Sequence, residues 1–226
     1  IVWLDYTNPS QIGHQVREFE ALLDKLRDGD IVRITVNANP NQLEESKSEV
    51  GSPLMADQKR EKQFQNLKSR IGEFMPTATS SNDMTKDRLP IIISESLGAA
   101  ASKAYPVISP KIFCPLSIVR YADGEQMLSV TGIVVRRRDK DALIDKLDLI
   151  SWPFASLEWS NVHRLVVPSL TIRERLFLER EILSKDHAEI EAALGFEYAS
   201  GIRIDEFLIS YKQYYRFYPA MLSTEI

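Results

Sequence analysis

Apolar and polar positions along the chain alternate in a way that divides it into a short β-α-β opening, a helical middle, a long hairpin and a helical end. Ile1-Val2-Trp3-Leu4 is an apolar run that stops at Asp5, the pattern of a buried strand whose carboxyl tip carries an acid. Asn8-Pro9-Ser10-Gln11 then predicts a helix start, with Asn8 as N-cap, Pro9 at the first helical position and Gln11 in capping-box register. Ile12, Val16, Phe19, Leu22, Leu23 and Leu26 fall on one face of that helix, and Gly29 stands where a C-terminal cap is expected. Ile31 to Val36 reads as a second strand, ending at Asn37-Ala38-Asn39-Pro40. Two strands joined through a helix lie parallel, with a right-handed crossover. Ligands of such open sheets bind beyond the carboxyl ends of the strands. Those ends are Asp5-Tyr6-Thr7 and Asn37-Ala38-Asn39.

Residues 40–62 turn polar and charged around Gly51, Ser52 and Pro53, which predicts a loop or surface insertion. A helix over Ala56 to Phe74 follows from Phe64, Leu67, Ile71 and Phe74 on one face, with a solvated face of mixed charge opposite. Leu89 to Tyr105 predicts another helix, stopped before Pro106. Next, Lys111–Tyr121 and Gln126–Val135 flank Ala122-Asp123-Gly124-Glu125, a strong hairpin signal. Apolar residues at consecutive positions in both arms predict that both faces are covered. Asp139 to Asp148 mixes charge signs at helical spacing and reads as a solvated helix.

The last third reads as a helical appendage, so the expected division is 1–138 for the sheet region and 139–226 for the rest. Trp152, Phe154 and Trp159 supply large rings for an interface, and Val162 to Val167 is an extended apolar run. Thr171-x-x-Glu174 is a capping box opening a helix with Leu176, Ile182 and Leu183 as part of a stripe. Ser184 to Leu194 predicts a second helix, ended by Gly195. Ile204 to Tyr218 predicts a third, with Phe207, Leu208, Tyr211, Tyr215 and Tyr218 near one face. Aromatic residues at that spacing read first as core packing and second as a surface that stacks on bases or a partner.

Charge and composition narrow this only slightly. A net charge of −4 provides no overall basic field for nucleic acid, although Arg136, Arg137 and Arg138 are consecutive. Cys114 is the single cysteine and lies in a strand-like run, the setting of a buried structural thiol. His14, His163 and His187 lack the spacing of a zinc site, and no nucleophile elbow or phosphate-cradling loop occurs. No segment has the length of a membrane span, so a cytoplasmic location is expected. A first strand that opens at residue 1, with Trp3 inside it, would make a poorly covered sheet edge. The chain is therefore expected to be the C-terminal part of a larger protein.

Several short motifs point one way. Leu4-Asp5-Tyr6-Thr7, Gly29 to Asn37, Tyr121-Ala122-Asp123-Gly124 with Met127, Val167 to Thr171, and the aromatic run Tyr211 to Pro219 together resemble the bacterial O-methyltransferases of the S-adenosylmethionine-dependent, class I type. In that likeness the first two motifs correspond to the ends of the fourth and fifth strands, and the third to the closing hairpin. The resemblance implies an α/β fold, the C-terminal part of a Rossmann-like class I methyltransferase sheet, with a helical appendage. It also implies S-adenosylmethionine as cofactor, bound by segments upstream of Ile1, since the glycine-rich turn and the ribose-holding acid have no counterpart here. This chain alone is then expected to be inactive.

Asp5 is the expected catalytic residue, because a carboxylate at a strand tip can orient or deprotonate an acceptor hydroxyl or amine; capping the following helix is its competing role. Tyr6 and Thr7, with Asn37 and Asn39, are expected on the substrate side, turn formation being the competing role of the two asparagines. Related metal-dependent enzymes hold magnesium between an acid after the fourth strand and an Asp-Asn pair after the fifth. Asn37-Ala38-Asn39 supplies no second carboxylate, so magnesium is not favoured. The acceptor is not legible. A nucleic-acid-associated module using Arg136 to Arg138 and the tyrosine-rich helix, and a methyltransferase-like interaction scaffold without activity, are the alternatives.

Overall fold

The computed structural model describes residues 1–43, 55–122, 124–166, 170–195 and 203–215. Strand β1 (Val2–Asp5) is followed by a 3-10 turn, Pro9–Gln11, that runs straight into helix α1 (Ile12–Leu23). Asn8 caps the turn: its Oδ1 accepts from the Ser10 N–H at 3.0 Å and from the Ser10 hydroxyl at 2.7 Å. Ile12, Val16, Phe19 and Leu23 of the predicted face are fully buried, Leu22 is partly buried, and Leu26 is buried just beyond the end of the helix. Gly29 does not end this helix, which stops at Leu23. It takes φ +89° in the turn before β2 (Ile31–Asn37), and its N–H donates to the Val134 carbonyl at 2.8 Å.

Strands β1 and β2 are parallel, with Val2 opposite Val32 and Asp5 opposite Thr35. Helices α2 (Ala56–Ile71) and α3 (Leu89–Ala104) come next, then the hairpin β3 (Lys111–Ala122) and β4 (Gln126–Arg136). The hairpin folds back so that β4 lies antiparallel beside β2. With β5 (His163–Arg164) parallel on the outer side of β3, the sheet order is β1-β2-β4-β3-β5. A register shift between Pro115 and Ser117 accommodates the proline, which has no N–H for the ladder. There the Ser156 hydroxyl accepts the Ile118 N–H at 3.1 Å, and the Ser156 N–H donates to the Leu116 carbonyl at 3.0 Å.

Side-chain alternation gives the sheet two unlike faces. Val32, Ile34, Val36, Phe113, Ile118, Leu128, Val130 and Val134 belong to the buried core that includes α1 and α3. Phe113 meets Phe19 edge-on at 5.4 Å and stacks on Trp159 at 6.0 Å. Helix α2 approaches α1 so closely at Gly13 that the Arg70 carbonyl occupies the place of a β-carbon. The opposite face is polar beside β1. Trp3 donates its indole N–H to Thr35 at 3.2 Å, Arg33 lies over the Trp3 ring at 5.1 Å and bonds Ser129 at 2.9 Å, and Trp3 stays 59 % exposed. Covering of both faces therefore holds around the hairpin and fails at β1. Among the described residues nothing pairs with the outer edge of β1.

The chain forms two compact units, Ile1–Arg164 and Leu165–Ile226. The expected break after Arg138 lies inside the first unit, because the segment after α4 (Lys140–Lys146) returns to the sheet. Trp159 does not serve a separate appendage. Its ring packs over Gly98 and on Phe113, its carbonyl accepts the Ser94 hydroxyl at 2.6 Å, and His163-Arg164 pair with β3. In the second unit, α5 (Ile172–Glu181), α6 (His187–Leu194) and α7 (Ile204–Tyr214) contribute to a small core of Val166, Leu178, Ile182, Ile190, Phe207, Leu208 and Tyr211. Both halves of the Thr171–Glu174 capping box form, and Gly195 ends α6 with φ +67°. The expected stripe on α5 is corrected: Leu176 and Leu183 are exposed, while Leu178 and Ile182 are buried. Tyr211 is buried against Phe207 and Tyr215, which is core packing. Residues 167–169 and 216–226, parts of two motifs of the resemblance, lie outside the described residues. Among the described residues no helix is long and apolar enough to cross a membrane.

Candidate active site

The carboxyl ends of β1 and β2 are set side by side by the parallel pairing of Asp5 with Thr35, which the Tyr6 N–H extends by donating to the Thr35 carbonyl at 2.8 Å. Asp5 and Thr35 are paired and therefore project to the same face, and Asn37, two residues further along β2, projects there too. Asp5 is exposed at this tip. The capping role that competes for it is taken by Asn8, and among the described residues its carboxylate has no side-chain partner. Thr7 is exposed beside it.

Tyr6 turns toward α1. Its hydroxyl donates to Glu18 at 2.7 Å, and Glu18 also lies 3.3 Å from His14. Burial, reinforced by the Glu18 carboxylate, pushes the Tyr6 phenol well above its ordinary range, so it stays protonated and acts as a donor. What it contributes at this tip is a fixed path for the chain from β1 into the helix. Gln15 strengthens that path by donating to the Asn8 carbonyl at 2.7 Å.

The two asparagines behave differently. Asn37 is buried, and its Oδ1 accepts the Asn39 N–H at 2.9 Å; Asn39 Oδ1 accepts the Asn41 N–H at 3.1 Å. These are successive Asx turns, so both side-chain oxygens serve the backbone. Asn39 also donates its amide to Glu125 at 2.6 Å, and Gln42 donates to the other oxygen of the same carboxylate at 3.1 Å. Gln126 donates to the carbonyls of Ala38 and Lys86, at 2.9 and 2.8 Å.

Glu125 is the residue that motif reading missed. It belongs to the hairpin turn, and the order β2-β4-β3 brings that turn to the β2 tip. At this end of the sheet Glu125 holds Asn39 and Gln42 at the β2 tip, with Asn37 behind them, while Asp5 stands at the tip of the neighbouring strand. Tyr6 anchors it from below. Chemically it offers carboxylates and amide donors to a polar acceptor.

Its donor set does not suit a cation. The oxygens of Asn37 and Asn39 are already occupied by backbone N–H groups, and among the described residues no group of three or more His, Cys, Asp or Glu side chains could hold a metal ion. Nor do the described residues form a cradle for a nucleoside. Among the described residues the positive-φ glycines are Gly29, Gly72, Gly124 and Gly195, and none of these opens a loop from a parallel strand into a helix.

Comparison with known families finds that a family model described as "Putative O-methyltransferase" matches residues 1–226. No curated protein and no solved structure matches the chain.

Proposed function

The chain belongs to this O-methyltransferase family, and on that footing we propose that it forms the acceptor-side half of an S-adenosylmethionine-dependent methyltransferase of the class I type. One observation carries the reading beyond the family: two parallel strands are closed by an antiparallel hairpin whose second strand sits beside them, in the order β1-β2-β4-β3. That is the closing pattern the sequence motifs resemble. It sets Asp5 and the Asn39–Glu125 pair on one rim of an open α/β sheet, where such sheets bind their ligands. The cofactor supplies an electrophilic methyl group when bound. The residues here do not fit its adenosine portion, so that cradle is assigned to further strands lying on the open edge of β1 and over the exposed Trp3 face.

Within this division of labour the described residues position the acceptor. Asp5 accepts a proton from the acceptor's hydroxyl or amine, or orients it through a hydrogen bond. Asn39, Gln42 and Glu125 fix the neighbouring polar groups of the same molecule, and most of the rate comes from holding the reacting atoms in line. The experiment is a methyl-transfer assay on the intact protein, with cofactor binding followed in parallel by calorimetry. Asp5→Asn should lower turnover by about 10²- to 10⁴-fold while cofactor affinity stays unchanged. Undiminished transfer by that variant would remove Asp5 from the chemistry, and failure of the intact protein to bind the cofactor would remove the methyltransferase reading itself.

A further inference from the structure

At the end of the sheet opposite Asp5, where β4 finishes at Arg136, the three consecutive arginines line one concavity of about 600 Å³ together with Ser109 and Pro110. Arg137 also lines a second, narrower slot of about 140 Å³, walled by Ala101, Ile112, Phe113, Trp159 and the exposed Val107. Both cavities are therefore lined by Arg137.

The Arg137 guanidinium is held in place. Arg137 Nε donates to the Ser109 carbonyl at 3.3 Å, and Nη2 to the carbonyls of Pro106 and Lys111 at 3.2 and 3.4 Å; its backbone N–H bonds Pro110 at 2.7 Å. These bonds fix the loop 106–110, whose two prolines restrict it further. Arg136 and Arg138 flank it with weaker ties. Arg136 lies 3.5 Å from Asp28 and Arg138 3.6 Å from Asp139, and all four side chains are at least 44 % exposed. Ion pairs so long and so wet are worth little, and an incoming anion can displace them.

The chemistry of the composite cleft is that of a molecule with two unlike ends. Planar guanidinium forks match the oxygens of a phosphate, and arginines on both sides of a fixed third suit a dianion better than a single carboxylate. The slot alongside has aromatic and aliphatic walls with polar edges from Ser102 and Tyr105, and a cavity near 150 Å³ takes one benzene-sized ring. We infer that the cleft formed by loop 106–110, Arg136–Arg138 and the Phe113–Trp159 slot binds a soluble phosphate monoester carrying a single flat ring or short apolar chain. The phosphate sits between Arg136 and Arg138, and the ring enters beside Trp159. This site shares no residue with the Asp5 rim and stands whether or not the chain methylates anything.

Titration calorimetry on the intact chain tests it, with phenyl phosphate and inorganic phosphate as probes. Phenyl phosphate should bind about tenfold more tightly than phosphate, the gain from burying one ring. Arg136→Ala and Arg138→Ala, both on the surface and away from the core, should each weaken phenyl phosphate by about tenfold, the worth of one charge-assisted bond. Equal affinity for the two probes would overturn the apolar slot as part of the site. No binding, or binding untouched by both arginine variants, would overturn the site altogether. A last arm uses phosphatidylcholine vesicles containing phosphatidic acid: sedimentation with those vesicles, without binding of phenyl phosphate, would transfer the phosphate to a lipid and overturn the soluble ligand.

Discussion

Replacing Gly13 by alanine should destabilise the sheet unit by about 2 kcal/mol, although alanine is the better helix former. The site lies in the first turn of α1, where α2 passes closest. A β-carbon built on residue 13 would lie 2.6 Å from the Arg70 carbonyl carbon and nearer still to its oxygen, while its third neighbour, the Arg17 guanidinium that donates to the Gly13 carbonyl, is 3.3 Å away at the end of a flexible side chain. Non-bonded carbons rest at about 3.5–4.0 Å, so the helices must part by roughly 1 Å. Overpacking of a fixed interior costs about 1–3 kcal/mol, and the upper figure applies because the obstacle is backbone. Relief from glycine in a helix returns about 1 kcal/mol. In a urea titration the midpoint should fall with the slope unchanged, and the melting temperature should drop by about 4–8 °C. Ala21→Gly, at an exposed position of the same helix, is the companion measurement and should lose about 1 kcal/mol through propensity alone. A Gly13→Ala protein as stable as the parent, or more so, would mean that α2 does not cross α1 at this point.

Three other outcomes are expected. Glu125→Ala frees the amides of Asn39 and Gln42, so hydrogen exchange at the Asn39 and Asn41 N–H groups should quicken by up to about tenfold; unchanged exchange would show that Glu125 does not order the β2 tip. Cys114 is fully buried and burial raises its thiol pKa, so a thiol reagent should label it only as fast as the unit unfolds. The Ser80 backbone N–H, helped by the Ser80 hydroxyl and Arg88, holds the Asp83 carboxyl below the ordinary carboxylate range. A folded value below the unfolded one means that the contribution is complete at neutral pH and disappears as pH falls through the folded value. Asp83→Asn should therefore flatten the acid limb of the pH–stability curve below about pH 4, and a curve parallel to the parent's would rule out that source.

Local chemistry makes much of this architecture legible in the sequence. Asn8 and Pro9 mark the entry to α1, Gly124 lies between the paired strands of the hairpin, and Thr171 and Glu174 form the box their spacing predicts. What escaped is what depends on distant partners. Gly29 has the positive φ expected of a glycine at a chain reversal, but it bonds across to Val134, and no periodicity within α1 could reveal that partner. Trp159 joins the sheet core because Gly98 and Phe113 leave room for its ring, two positions far away in sequence. Glu125 reached the candidate site only through the β2-β4 pairing. The alternation of Leu176 and Leu183 with charged neighbours fits a helix equally well when rotated, and the tertiary core kept Ile182 of the expected stripe but took Leu178 in place of Leu176 and Leu183.

The unpaired margin of β1 has a practical side. Ile1-Val2-Trp3-Leu4 contains neither the lysine nor the proline with which exposed strands usually repel their own kind, and its backbone ladder is free on one flank among the described residues. Where no further strand covers that margin, identical margins can zip together at high protein concentration, and the first species to leave solution would be side-by-side assemblies of still-folded chains. Solubility of such a chain would then turn on these four residues as well as on overall charge, and a single lysine in place of Trp3 would raise it.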